Sequence, residues 1–140
     1  MFKKIVLGLS VVTLVGGAAL AQDKMAPAPA PAAVNNNIKR TPLQDIDFPA
    51  GYHIVTVVAE IVPNVLAGRH THPGIDTGYV MSGSGTLMVE GKPDQELKAG
   101  DSYAIPAGVP HDVKTGPNGF KIVATYVVEK GKAVATPAPK

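Results

Sequence analysis

Four residues in this chain have the types and spacing for metal chemistry. His70 and His72 stand two apart in the stretch RHTHPGIDTGYVMSG, and Asp76 follows four positions after the second. Side chains at i and i+2 of a β-strand leave the same face, so both imidazoles can enter one interior. Pro73-Gly74 is a turn signal that can fold Asp76 back toward them. A third imidazole arrives much later, in GDSYAIPAGVPHDVKT, where His111 follows a turn at Pro106-Ala107-Gly108. Neutral imidazoles with one carboxylate suit a single divalent transition metal: Fe, Mn, Ni, Zn, Co or Cu. An H-x-H pair alone is more often solvated or hydrogen-bonded than ligating, and it is the third histidine that turns the balance toward metal.

Other polar and aromatic residues carry weaker signals. Tyr79, Tyr103 and Tyr126 read first as barrel core and second as pocket lining, where a phenol would hydrogen-bond a substrate. Met81 and Met88 read as core or pocket lining. The fourth histidine, His53, has no partner at ligand spacing and reads as a partly exposed strand residue. Asp112 follows His111 directly, so regular alternation sends it to the opposite face and the surface. Asp101 reads as a turn former bonded to local backbone, and Arg69 as a rim residue or half of a surface ion pair.

The elements that must position these residues are strands. Tyr52 to Val62, YHIVTVVAEIV, is too dense in β-branched residues for a good helix. Tyr79–Ser82, Gly85–Glu90, Ser102–Ile105 and Lys121–Glu129 are shorter strand candidates. Between them stand turn signals: Gly83-Ser84-Gly85, Gly91-Lys92-Pro93-Asp94, Ala99-Gly100-Asp101 and Gly116-Pro117-Asn118-Gly119. No stretch repeats apolar residues at helical spacing. Many short strands with Gly/Pro turns predict an all-β sandwich or barrel of one small domain.

The flanks predict export. Lys3 and Lys4 precede an uncharged apolar run, Ile5 to Ala21, that ends in Ala19-Leu20-Ala21, the pattern of a signal-peptidase site. Residues 1–21 therefore read as a signal peptide, which leaves no stable membrane span after cleavage and places the mature chain in the periplasm or outside the cell. Residues 22–37 read as a Pro/Ala-rich linker, 38–132 as the barrel domain and 133–140 as a disordered tail. The chain has 13 Lys and Arg against 11 Asp and Glu, and Lys3 and Lys4 account for the excess. The mature chain is then neutral and has no basic run to hold a phosphate backbone, which argues against nucleic acid as a partner. With no cysteine, disulfides, thiolate metal sites and cysteine nucleophiles are all excluded.

These residues match a family pattern. The chain resembles the cupins, small β-barrels of jelly-roll type (a double-stranded β-helix). His70, His72, Asp76 and Gly83 fall in register with their first motif, and Gly100, Pro106, Gly108 and His111 with their second. More loosely, the segment from Lys39-Arg40-Thr41-Pro42 through Tyr126-Val127-Val128-Glu129 is similar to small exported bacterial cupins described as quercetin-dioxygenase-like. Three positions depart from the pattern. Asn64 stands where the first motif begins with Gly, Thr115 replaces a final Asn, and Asp76 occupies a Glu position. Asp76 keeps the charge but loses on the order of 1.3 Å of reach, so it binds a metal directly or through water.

The resemblance implies a single cupin barrel whose His70, His72, His111 and Asp76 hold one metal, with two coordination positions free on an octahedral ion. It also implies a small-molecule partner, and a homodimer as the default assembly. Three functions fit: a metal-dependent dioxygenase acting on a small phenolic or enol-type molecule, a non-catalytic periplasmic protein that binds a small ligand or the metal, and a metal-dependent isomerase or lyase. No dedicated general base stands beside the ligands, though Asp76 could leave the metal and take a substrate proton.

Overall fold

The structure is a computed structural model and describes residues 35–139. The segments expected to be a signal peptide and most of a linker lie outside the described residues. Eight strands follow one another: β1 (Ile38–Ile46), β2 (Tyr52–Ile61), β3 (His70–Thr71), β4 (Ile75–Val89), β5 (Gln95–Lys98), β6 (Ser102–Ile105), β7 (His111–Glu129) and β8 (Thr136–Pro137). All belong to one antiparallel sheet that curls into the expected barrel. No helix among the described residues is long and apolar enough to cross a membrane.

β7 organises the sheet. Its second half pairs with β2 from Phe120↔Ile61 to Glu129↔Tyr52. It also pairs with β4 from Val127↔Ile75 to His111↔Val89, and its first residue meets β3 at His70. The two strand candidates Tyr79–Ser82 and Gly85–Glu90 are one continuous strand, β4, and the turn expected at residues 116–119 lies inside β7. Both differences have one cause. Gly83 pairs with Phe120 and Gly85 with Thr115, so residues 116–119 bulge out of the ladder where the sheet turns a corner. Gly83 sits there at φ 79°, and a Cβ on it would strike the Gly119 carbonyl. A Gly/Pro cluster inside a strand thus made a bulge, not a reversal.

The core follows period-two alternation. Phe120, Ile122, Ala124, Tyr126 and Val128 of β7 face in, against Val57, Ala59 and Ile61 of β2, Val80 and Leu87 of β4, Leu97 of β5 and Ile105 of β6. On β4 the same alternation turns Asp76 and Val80 inward and their odd-numbered neighbours outward. Tyr79 and Met81 are therefore 52% and 46% exposed, on the outer face, and do not line the pocket as the sequence suggested.

Two departures from the motif are absorbed by local chemistry. Asn64 takes φ 57°, the left-handed conformation that a Gly would otherwise supply. Thr115 is buried, and its hydroxyl donates to Val62 O at 2.8 Å while accepting from Val65 N at 3.0 Å. Asp101 forms the expected turn, accepting from Lys98 N at 2.9 Å.

The boundaries of the domain are wider than expected. Asn35 and Asn37, read as linker, dock on the barrel: Asn37 O accepts from Val62 N at 3.0 Å, and the Asn35 side chain donates to Ala67 O. The residues read as a disordered tail include β8, which pairs His70↔Pro137 and Thr71↔Thr136. β3 offers an open edge of backbone donors and acceptors, and the tail satisfies it, with Ala138 N donating to Arg69 O at 3.0 Å.

Leu97 is 2% exposed, whereas Leu43 on β1 is 49% exposed. Leu97→Ala should destabilise the metal-free protein by about 2–5 kcal/mol in urea unfolding. Leu43→Ala should stay within about 0.5 kcal/mol of the parent in the same measurement.

Candidate metal centre

β3 and the start of β7 place the histidines. His70 lies directly opposite His111 in the β3–β7 pairing, and His72 follows β3 by one residue. The rings close on one another, with centroids 4.3 Å apart for His70 and His111, 4.8 Å for His70 and His72, and 5.1 Å for His72 and His111. One nitrogen from each can be chosen so that all three lie within 4.8 Å of one another, a cluster that could hold a metal ion.

The backbone decides which nitrogen that is. His70 Nδ1 faces Gly68 O at 2.6 Å, His72 Nδ1 faces Val134 O at 2.6 Å, and His111 Nδ1 faces Val109 O at 2.9 Å. A carbonyl only accepts, so each Nδ1 carries the proton and each Nε2 keeps its lone pair. The Nε2 atoms of His72 and His111 are buried and have no hydrogen-bond partner among the described residues. A buried acceptor left without a donor is costly, and a cation would remove that cost. The donor set therefore fits a divalent transition metal.

Asp76 is drawn to the same place. It is 4% exposed, with Oδ2 3.6 Å from His72 Nε2 and 4.0 Å from His111 Nε2. Two donors about 2.1 Å from one ion can be no more than about 4.2 Å apart, and both distances meet that limit. Its other oxygen, Oδ1, has no hydrogen-bond partner. The carboxyl thus reaches two of the three imidazoles, while the group whose donor atoms all lie within 4.8 Å of one another is His70, His72 and His111 without Asp76.

Burial dominates the electrostatics. It lowers the pKa of His72 to about 3, with the positive potential of the other two rings adding to the effect. His70 and His111 are lowered by the same cause, so all three rings are neutral at pH 7. Burial raises Asp76 to about 7, and the Tyr103 hydroxyl pulls weakly the other way. Tyr103 reaches that position by lying across Gly78, its partner in the β4–β6 pairing, where a Cβ would collide with the phenol ring. The Tyr126 ring packs on His72 with centroids 4.6 Å apart. Burial raises both phenols above their usual range, so they stay protonated and can donate.

A cavity of about 510 Å³ opens above the cluster, lined among others by His70, His72, Tyr126, Val55, Val57 and Val134. A smaller space of about 50 Å³ below it reaches Asp76, Tyr103 and His111. Of the pocket candidates from the sequence, Tyr103 and Tyr126 line these spaces. Arg69 pairs with Glu90 and donates to Pro139 O at 2.9 Å, as a rim residue should. His53 sits between Asp45 and Asp47 at 3.2 and 3.1 Å, apart from the cluster.

Sequence reasoning misplaced Asp112. It is 8% exposed, not on the surface, and its Oδ1 accepts from Gly68 N at 2.9 Å and Val113 N at 2.8 Å. Alternation fails here because the loop before β3 comes down onto the start of β7 and covers both faces. Asp112 thereby anchors Gly68 through its N–H, and the carbonyl of the same residue accepts from His70 Nδ1. Arg40, which also lines the cavity, was missed as well; its one signal was the shared strand face with Ile38.

His72→Ala and His111→Ala should each weaken cobalt(II) binding by at least about 100-fold, while His53→Ala leaves it unchanged, read from the visible d–d spectrum. A pH series on metal-free protein checks the electrostatics. Between pH 6.5 and about 3 the unfolded chain takes up a proton that folded His72 refuses, so stability falls on acidification. Asp76 acts in the opposite sense, adding stability as pH falls from about 7 toward 3.8. Asp76→Asn removes that gain, so its denaturation midpoint should drop more steeply than the parent's from pH 7 to pH 4.

Residues 57–124 match the family model of the cupin domain. A conserved protein of uncharacterised function with a double-stranded β-helix domain, from Klebsiella pneumoniae subsp. pneumoniae, is 28% identical. It covers 78% of this chain and 85% of that one, with a TM-score of 0.60. The DMSP lyase DddQ from Ruegeria pomeroyi is 20% identical, with a TM-score of 0.56 over 61% of this chain and 43% of that one. A salicylate 1,2-dioxygenase from Pseudaminobacter salicylatoxidans is 14% identical, with a TM-score of 0.55 over 68% of this chain and 27% of that one. The chain thus spans less than half the length of the lyase and of the dioxygenase, and with both it shares the fold. No curated protein matches the sequence. The two motifs, the all-strand barrel and the histidine cluster agree with the domain match: the chain carries a cupin domain over residues 57–124.

Proposed function

We propose that this chain is an exported metalloenzyme that holds one divalent transition metal through His70, His72, His111 and Asp76. We infer that it acts with O2 on a small phenolic or enol-type molecule. The observation that carries the reading is the set of neutral imidazoles, each with Nδ1 bound to a carbonyl, beneath an open cavity of about 510 Å³. A bound metal supplies Lewis acidity and, for a redox-active ion, the means to activate O2. The protein's own residues do the rest. Val55, Val57 and Val134 offer apolar walls for a ring. Tyr126, protonated and beside His72, can donate to a substrate oxygen. Asp76, raised by burial to about 7 in the metal-free protein, can accept the proton of a substrate hydroxyl once its carboxylate has left the metal.

That last property also supports a second reading, a metal-dependent lyase or isomerase in which Asp76 abstracts a proton and O2 takes no part. The fold is shared with a protein named as a DMSP lyase, which is compatible with this chemistry. Export rests on Lys3, Lys4 and the Ile5–Ala21 run. A homodimer draws support from Leu43, Ile46 and Phe48, which are exposed and apolar on and just after β1.

Oxygen uptake separates the readings. Protein loaded with Fe(II), Mn(II) or Ni(II) should consume O2 with members of a phenol and enol panel, and His111→Ala should reduce the rate at least about 100-fold. Turnover that persists anaerobically would replace the oxygenase reading with the lyase or isomerase one. Tight ligand uptake with no turnover under either condition would leave a binding protein.

A further inference from the structure

Arg40 and Arg69 are the arginines of the cavity wall, and among the described residues no carboxylate lies within ion-pair distance of Arg40. It shares the inward face of β1 with Ile38, and both line the cavity above the histidines and the smaller space beneath. Its partner in the β1–β2 pairing is Ala59, 3% exposed, whose short side chain leaves the guanidinium stem room to cross the strand. The head group lies against the Tyr126 hydroxyl, and its charge is felt at His70 and His72. Arg69, by contrast, is already neutralised by Glu90 at the rim.

Arg40 is exposed, so its guanidinium meets the solvent of the cavity beside Ile38, Val55, Val57 and Tyr126 and is open to an incoming anion. Its planar fork matches a carboxylate with two parallel hydrogen bonds. The histidine cluster on the same wall is itself arranged to hold a cation. Two positive centres facing one apolar cavity favour an anion able to meet both.

We propose that Arg40 is the carboxylate receptor of this cavity, so that the small molecule bound over the histidines is an organic acid. Its carboxylate pairs with Arg40, its hydroxyl or enol oxygen points toward the histidines, and its carbon skeleton lies on Val55, Val57 and Val134. This rests on the reading that the cavity above the histidines is the substrate site, and it deepens that reading by naming the substrate class. Arg40 is then a specificity-determining residue, and the discrimination it supplies is between an acid and its neutral isostere.

The test compares 2-hydroxybenzoate with 2-hydroxybenzamide by calorimetric titration of the cobalt(II)-loaded protein. The parent should bind the acid at least about tenfold tighter than the amide, the size of a single charge-assisted contact. Arg40→Met should abolish the difference, and Arg40→Lys should restore part of it. Cobalt(II) affinity and thermal midpoint should be the same in all three proteins, which separates loss of the receptor from loss of the fold. Equal binding of acid and amide by the parent, binding of neither, or an unchanged preference in Arg40→Met would overturn the proposal. Oxygen uptake keeps this distinct from the reading of function. Arg40-dependent retention of the acid without O2 consumption removes the oxygenase and leaves the receptor. O2 consumption on neutral phenols, undisturbed in Arg40→Met, removes the receptor and leaves the oxygenase.

Discussion

Hydrogen bonds from three Nδ1 atoms to three backbone carbonyls govern this molecule's chemistry. An imidazole free to rotate could offer either nitrogen, or neither. With Gly68, Val109 and Val134 as acceptors, each ring is fixed in one tautomer and one orientation. Burial then keeps the rings neutral, and Asp76 shares the desolvated space beside them. The rest of the fold can be understood as what brings two local carbonyls and one distant one to the right places. The loop ahead of β3 supplies one, the turn before β7 the second, and the segment leading to β8 the third.

The ligands were legible in the sequence because their logic is local. H-x-H needs only strand alternation to put two rings on one face, and the second motif delivers His111 opposite His70. The acceptors behind them were not legible, because a backbone carbonyl has no residue type to mark it. Val134 is a carbonyl from a segment that reads as a loose tail, and it lies 62 residues from His72. Asp112 escaped for a related reason. Alternation describes a strand with one covered face, and a loop packed over the other face breaks the rule.

The same division appears in the fold. An all-β barrel was readable from Val-rich runs and turn residues, and β2 and β6 fall where they were expected. The Gly/Pro cluster at residues 116–119 was readable as a break in regular structure but not as a bulge. Which of the two forms depends on whether a partner strand continues past the break, and that is decided by β4. Tyr79 and Met81 show the converse case. Their exposure follows from Asp76 by simple alternation, so here the sequence held more than aromatic and thioether identity suggested.

The third acceptor has a consequence for how the protein is made and handled. Because Val134 orients His72 and the strand after it closes over His70, the ion-binding geometry is not assembled until residues 134–137 are in place. A chain still lacking that segment would present H-x-H as two ordinary flexible imidazoles. The same arrangement makes the stretch just after β8 a poor place for an affinity tag. A run of histidines fused there would begin beside the cavity mouth, where its own nitrogens compete for whatever ion the barrel is meant to keep.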